Sequence, residues 1–153
     1  MRAKVIVSSS HLFPQGGLTA DETVPIVWQV DLRIESRPFG VDPNRPRYEA
    51  HCGGAILTPH LIVTSAHCFR QFDSEGNTVT QDPRGARICT GKDRNVCTQN
   101  VPGEFIWIHP KYTAAESPLN RTDLAVVSTG FPITFKEGLV GAIPLASPNC
   151  SGE

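Results

Sequence analysis

Apolar runs are short throughout this 153-residue sequence, and no span of about 18 apolar residues occurs, so no helix of it is built to cross a bilayer. A surplus of charge is also lacking. The 14 Lys+Arg face 15 Asp+Glu with no long block of either sign, which gives no ground for a nucleic-acid or membrane partner. Zinc-ligand spacing is missing too. His51-Cys52 and His67-Cys68 carry suitable residue types, but no Cys-x-x-Cys or His-x-x-x-His occurs, so neither a metal nor another cofactor is expected. No internal repeat is present. The stretch from Met1 to Ser10 has a basic front but an apolar run of only three residues, Val5-Ile6-Val7, far short of a signal-peptide core. The expectation is that the true N-terminus lies elsewhere or that the chain is not exported as written.

What the sequence does contain is five cysteines, 13 glycines and 13 prolines among short apolar segments, the make-up of a loop-rich all-β protein from an oxidising compartment. A chain of this length buries roughly 68 to 70 % of its unfolded surface, enough for one compact domain. The odd number of cysteines leaves at least one without a partner in the chain. From Trp28 onward, Trp28-Gln29-Val30-Asp31-Leu32-Arg33-Ile34 alternates apolar and polar residues with the period of a half-buried strand. A polar, proline-rich loop follows over 36–47. The stretch 69–87, with Asp73, Glu75, Gly76, Asn77, Asp82 and Pro83, reads as a long surface loop. Its acidic residues look only weakly like a calcium loop, and a solvated turn is the better reading.

The most informative stretch is Cys52-Gly53-Gly54-Ala55-Ile56-Leu57, followed after a short turn by Leu61-Ile62-Val63-Thr64-Ser65-Ala66-His67-Cys68. It resembles the catalytic-histidine region of trypsin-like serine proteases, with Ser65 in place of an alanine. Taken alone, His67 would read as an ordinary half-buried histidine beside a structural cysteine, but the ordered match favours the family. Other segments follow the same family. They are the opening strand just described, Arg87-Ile88-Cys89-Thr90-Gly91, the run Gly103-Glu104-Phe105-Ile106-Trp107-Ile108-His109-Pro110-Lys111-Tyr112, and Asn120-Arg121-Thr122-Asp123-Leu124-Ala125-Val126-Val127. The last is similar to the motif that carries the family's catalytic aspartate, with Arg121 and Thr122 between the asparagine and the acid.

The resemblance implies an all-β fold, a trypsin-like antiparallel β-barrel, and specifically the N-terminal barrel of a two-barrel domain. Residues 1–13 are then an N-terminal extension, and 14–153 the N-terminal part of a protease domain whose C-terminal barrel is absent. His67 is expected as general base and Asp123 as the carboxylate that accepts its Nδ1 proton, fixes the tautomer and stabilises the imidazolium. His109 belongs to a turn and reads as structural. A disulfide between Cys52 and Cys68 is implied, and the chain-entropy model gives a loop of roughly 15 residues about 3 kcal/mol. If Cys89 then pairs with Cys97, Cys150 is left to a segment or chain outside this sequence.

Several features depart from the family. Its nucleophile stands in Gly-Asp-Ser-Gly-Gly, which occurs nowhere in the 153 residues; Glu153 comes only 30 positions after Asp123. Ser65, Ser117, Ser128, Ser147 and Ser151 do not sit in such a motif. Gly16-Gly17-Leu18-Thr19-Ala20 fits part of the family's activation segment, but Pro14 and Gln15 precede it and no Arg or Lys stands ahead as a cleavage site. Asn120-Arg121-Thr122 and Asn149-Cys150-Ser151 are glycosylation sequons if the protein is secreted. The expectation is a secreted serine endopeptidase by resemblance, acting on a protein or peptide, represented by a chain that is inactive alone. The alternative is a non-catalytic homologue that binds or regulates.

Overall fold

A computed structural model describes residues 26–35, 49–72, 75–91, 97–113 and 122–145. Its strands are β1 (Gln29–Glu35), β2 (Glu49–Thr58), β3 (Leu61–Thr64), β4 (Arg70–Phe72), β5 (Thr78–Thr80), β6 (Ala86–Thr90), β7 (Gln99–Ile108) and β8 (Ala125–Thr129). Six of them close an antiparallel barrel in the order β1-β2-β3-β8-β7-β6, while β4 and β5 form a separate two-stranded ribbon. The all-β barrel expected from sequence is therefore present. Among the described residues no helix is long and apolar enough to cross a membrane.

The period-2 signal of β1 places Val30, Leu32 and Ile34 inside the barrel. They meet Ile56, Ile62, Ile88 and Val127 from the other strands, so the core is filled mainly by β-branched side chains. Closure is tight enough to dictate one glycine of the Gly53-Gly54 pair. A Cβ on Gly54 would lie 2.8 Å from Leu32 Cδ1 and 2.9 Å from the Val63 carbonyl oxygen, whereas a Cβ on Gly53 meets nothing within 4 Å. Gly103 on β7 is similarly confined, against the Pro83 carbonyl.

The stretch 69–87 differs from the long loop expected of it. Phe69 is fully buried, the backbone N–H of Gln81 donates to the Phe69 carbonyl at 2.7 Å, and β4 and β5 pair between these anchors. Asp82 then caps a short 3-10 turn, Pro83–Gly85, by accepting from the Arg84 N–H. The segment after β8 closes one end of the barrel. Ile133 and Val140 enter the core, and the backbone N–H groups of Ile133 and Ile143 donate to the Pro59 and Ile56 carbonyls. The Gln99 amide holds the same segment from β7, donating to the Thr134 carbonyl at 2.9 Å and accepting from the Thr134 N–H at 2.8 Å.

Two disulfides are formed, Cys52–Cys68 and Cys89–Cys97, with Cα atoms 6.3 and 5.1 Å apart. The first joins β2 to the turn after β3. The second ties the end of β6 to the chain entering β7. Cys150 lies outside the described residues.

Candidate active site

Strand β3 ends where Thr64 turns its hydroxyl to the Gly53 carbonyl, donating at 2.8 Å. A 3-10 turn, Ala66–Cys68, follows with Ser65 at its N-cap, so the chain bends sharply off the barrel wall. Around this bend Thr64, Ser65, Ala66, Cys68 and Phe69 are all buried; His67 alone is half-exposed. Apolar burial on both sides and the disulfide to β2 thus anchor the backbone that presents this imidazole.

Asp123 stands two residues ahead of β8, whose pairing with β3 brings together residues 56 positions apart. Its Oδ1 accepts from the His67 backbone N–H at 2.9 Å, and its Oδ2 lies 2.6 Å from His67 Nδ1. The carboxylate side chain is only 10 % exposed and the imidazole 36 %. An ionised carboxylate only accepts, so Nδ1 carries a proton and, in the neutral ring, Nε2 is the acceptor. One acid group therefore fixes both the backbone and the ring of His67. A histidine so held can take a proton at Nε2 while the resulting positive charge stays paired, the electrostatic requirement of a general base.

The turn after β7 locks the aspartate in place. The His109 N–H donates to the Leu124 carbonyl at 2.9 Å, the His109 carbonyl accepts from the Tyr112 N–H at 2.9 Å, and His109 Nδ1 accepts from the Lys111 N–H. Its ring meets Trp107 edge-on at 6.0 Å. His109 thus serves the turn, in keeping with its structural reading. Tyr112, passed over in the sequence, is buried with Ala66 and Ala125 in a small cluster of its own beside His67 and Asp123. Burial foremost, then the Asp123 charge, raises its phenol above the usual value, with Arg70 opposing.

Other candidates separate from this pair. His51 lies exposed on β2, its Nδ1 3.9 Å from Asp31 Oδ2, while Cys52 is turned to the disulfide. Cys52, Cys68 and His67 do bring potential donor atoms within 4.8 Å of one another. Both sulfurs are spent in the disulfide, however, and offer no thiolate to a metal. Ser65 is buried at the turn and Ser128 on β8 accepts from the Phe105 N–H; neither hydroxyl bonds to His67. Pro14, Gln15, Ser117, Asn120, Ser147, Asn149 and Ser151 lie outside the described residues.

A barrel whose β3 turn carries a disulfide-anchored histidine, met by an aspartate ahead of β8, defines a protein class. The model of the Trypsin family matches residues 17–151, and the chain belongs to that family. It is 28% identical over 112 residues to a trypsin of Saccharopolyspora erythraea, covering 71% of this chain and 43% of that protein. It is 29% identical over 122 residues to a venom serine protease of Polistes dominula, covering 78% of this chain and 42% of that one. Among solved structures, the scabies mite inactivated protease paralogue S-D1 shares the fold with a TM-score of 0.54 at 24% identity, over 78% of this chain and 41% of that chain. The chain therefore spans about two fifths of the length of these relatives.

Proposed function

We propose that His67 and Asp123 are the general base and its orienting partner in a serine-type endopeptidase, and that residues 14–153 supply the N-terminal part of its domain after an extension over 1–13. The observation that carries this reading is the double hold of Asp123 on His67, at 2.9 Å through the backbone and 2.6 Å through the ring. In the reaction, Nε2 takes the proton of a serine hydroxyl as that oxygen attacks the scissile carbonyl, then returns it to the leaving amine. The intermediate is a serine ester, and the substrate class is protein or peptide. Two disulfides persist in an oxidising compartment, and one relative is a venom protein; both support an extracellular site.

The 153 residues hold no Gly-Asp-Ser-Gly-Gly, and we infer that this chain alone does not hydrolyse peptides. Loss of the serine costs on the order of a millionfold in turnover in a serine hydrolase that keeps its oxyanion hole. A pure preparation of the chain is expected neither to cleave a broad peptide panel nor to be labelled by a fluorophosphonate. Hydrolysis that disappears with His67→Ala would overturn the inactive reading. Sequencing of the native transcript past codon 153 tests the catalytic assignment. A downstream Gly-Asp-Ser-Gly-Gly, with a cysteine for Cys150, supports a working protease.

The second reading, a non-catalytic homologue that binds or regulates, is favoured by Pro14-Gln15 at the activation segment. A stop codon after position 153 and cooperative, monodisperse folding of the isolated chain support it.

A further inference from the structure

A second chemistry lies beside the histidine. Cys52 and Cys68 are bonded to each other, yet Cys68 Sγ is only 3.9 Å from His67 Nε2, and one donor atom from each of the three residues falls within 4.8 Å of the others. A tetrahedral ion about 2.3 Å from sulfur and about 2.0 Å from nitrogen needs its donors roughly 3.5 to 3.8 Å apart. Opening the bond between the sulfurs is therefore the main change required. The Cα atoms of the two cysteines are 6.3 Å apart, at the wide end of the roughly 4.4 to 6.8 Å that disulfides span.

None of the three donors depends on that bond alone for its position. Cys52 is paired with Leu32 in the β1–β2 ladder, and the Thr64 hydroxyl holds the carbonyl of the next residue, Gly53, at 2.8 Å. Cys68 is 2 % exposed, its N–H donates to the Ser65 carbonyl at 3.3 Å, and the fully buried Phe69 follows it. His67 is gripped twice by Asp123, which keeps a proton on Nδ1 and leaves the lone pair on Nε2. A carboxylate behind an imidazole is the outer support that metal-binding histidines use. The imidazole is half-exposed, so an ion has a path in and a fourth position open to water.

We propose that the reduced chain carries a metal site, made of Cys52 Sγ, Cys68 Sγ and His67 Nε2, for a thiophilic divalent cation of the zinc type. A dithiol delivers two electrons to the disulfide, is itself oxidised to a cyclic disulfide, and leaves two thiols on the protein. The cation then displaces both thiol protons to solvent and takes the Nε2 lone pair. Calcium and magnesium, which prefer oxygen, do not suit this donor set. One consequence rests on the catalytic reading: a metal-bound Nε2 cannot accept a serine proton, so reductant and cation together silence the base.

Cobalt(II) is the probe, since tetrahedral thiolate coordination gives it intense visible bands and sulfur-to-metal charge transfer. The whole chain with Cys89→Ser, Cys97→Ser and Cys150→Ser keeps only the two sulfurs in question. It is reduced with excess dithiol, desalted under nitrogen and titrated, with the unsubstituted chain run in parallel. A single cobalt per chain with a tetrahedral spectrum is expected in the substituted chain after reduction and none before it. Asp123→Asn is expected to weaken binding by roughly tenfold through loss of the outer carboxylate, and His67→Ala by more, in both backgrounds. The proposal is overturned if the reduced chain takes up no cobalt, if uptake is the same before reduction, or if His67→Ala binds as tightly as its parent, the mark of two thiols acting without the fold. Should reduction unfold the chain, cobalt is expected to refold it, as followed by circular dichroism; failure to refold overturns the proposal too. The catalytic reading fails separately, as peptide hydrolysis by a longer form of the protein that is indifferent to His67→Ala while cobalt uptake persists.

Discussion

The bend Thr64–Phe69 and the ribbon β4–β5 are consecutive in the chain, yet they are built in opposite ways. In the bend every residue but His67 is buried, a disulfide crosses to β2, and Asp123 grips the histidine from β8. In the ribbon, Gln71, Phe72 and Thr78 are exposed and the two strands pair only with each other. Phe69 marks the boundary, fully buried, while Phe72 three residues later is 49% exposed. Burial and cross-linking are concentrated around His67 and fall away within a few residues of it.

The sharpest way to break that contrast is to truncate the two phenylalanines. Phe69→Ala should cost about 3 to 5 kcal/mol by cavity formation, and Phe72→Ala no more than about 0.5 kcal/mol as a surface change. Urea denaturation of the two variants measures both, and equal losses would erase the boundary. Next in size is the glycine pair. Gly54→Ala drives a Cβ into Leu32 and the Val63 carbonyl and should cost about 1 to 3 kcal/mol, while Gly53→Ala should be close to neutral by the same measurement.

The smallest effect is expected in alkaline solution. The unfolded phenol of Tyr112 titrates near 10.0 and the folded one higher. Between those values the unfolded chain has lost a proton that the folded chain still binds. Stability present below the unfolded value therefore drains away as pH rises through the folded one. Tyr112→Phe should remove that part of the alkaline slope and leave stability near neutral pH almost flat. Persistence of the full slope in Tyr112→Phe would assign it to other groups.

Much of this is legible in the sequence. Alternation in β1 and the ordered resemblance around His67 and Asp123 point to a trypsin-like antiparallel β-barrel, and six strands close one. The ribbon was not legible, because strands of three residues with mixed polarity carry no usable period, and what orders them is the burial of Phe69 by distant residues. Gly53 and Gly54 are indistinguishable in sequence. Only the crossing of β1, β2 and β3 shows which of them another backbone approaches. The burial of Tyr112 was not legible in its motif, since its neighbours Ala66 and Ala125 arrive by strand pairing rather than by local spacing. For His51 and Cys52 the strand itself was the missing clue: adjacent residues on β2 point to opposite faces, so they do not share a ligand sphere.

The amide of Gln99 gives and receives a hydrogen bond with the same residue, Thr134, as a backbone unit would. Asparagine has the same two functions on a shorter arm, and glutamate has the length but not the donor. Deamidation at this half-buried position would therefore turn one fastener into a repulsion between two oxygens, leaving the segment that plugs the barrel end to its buried Ile133 and Val140 and its backbone hydrogen bonds.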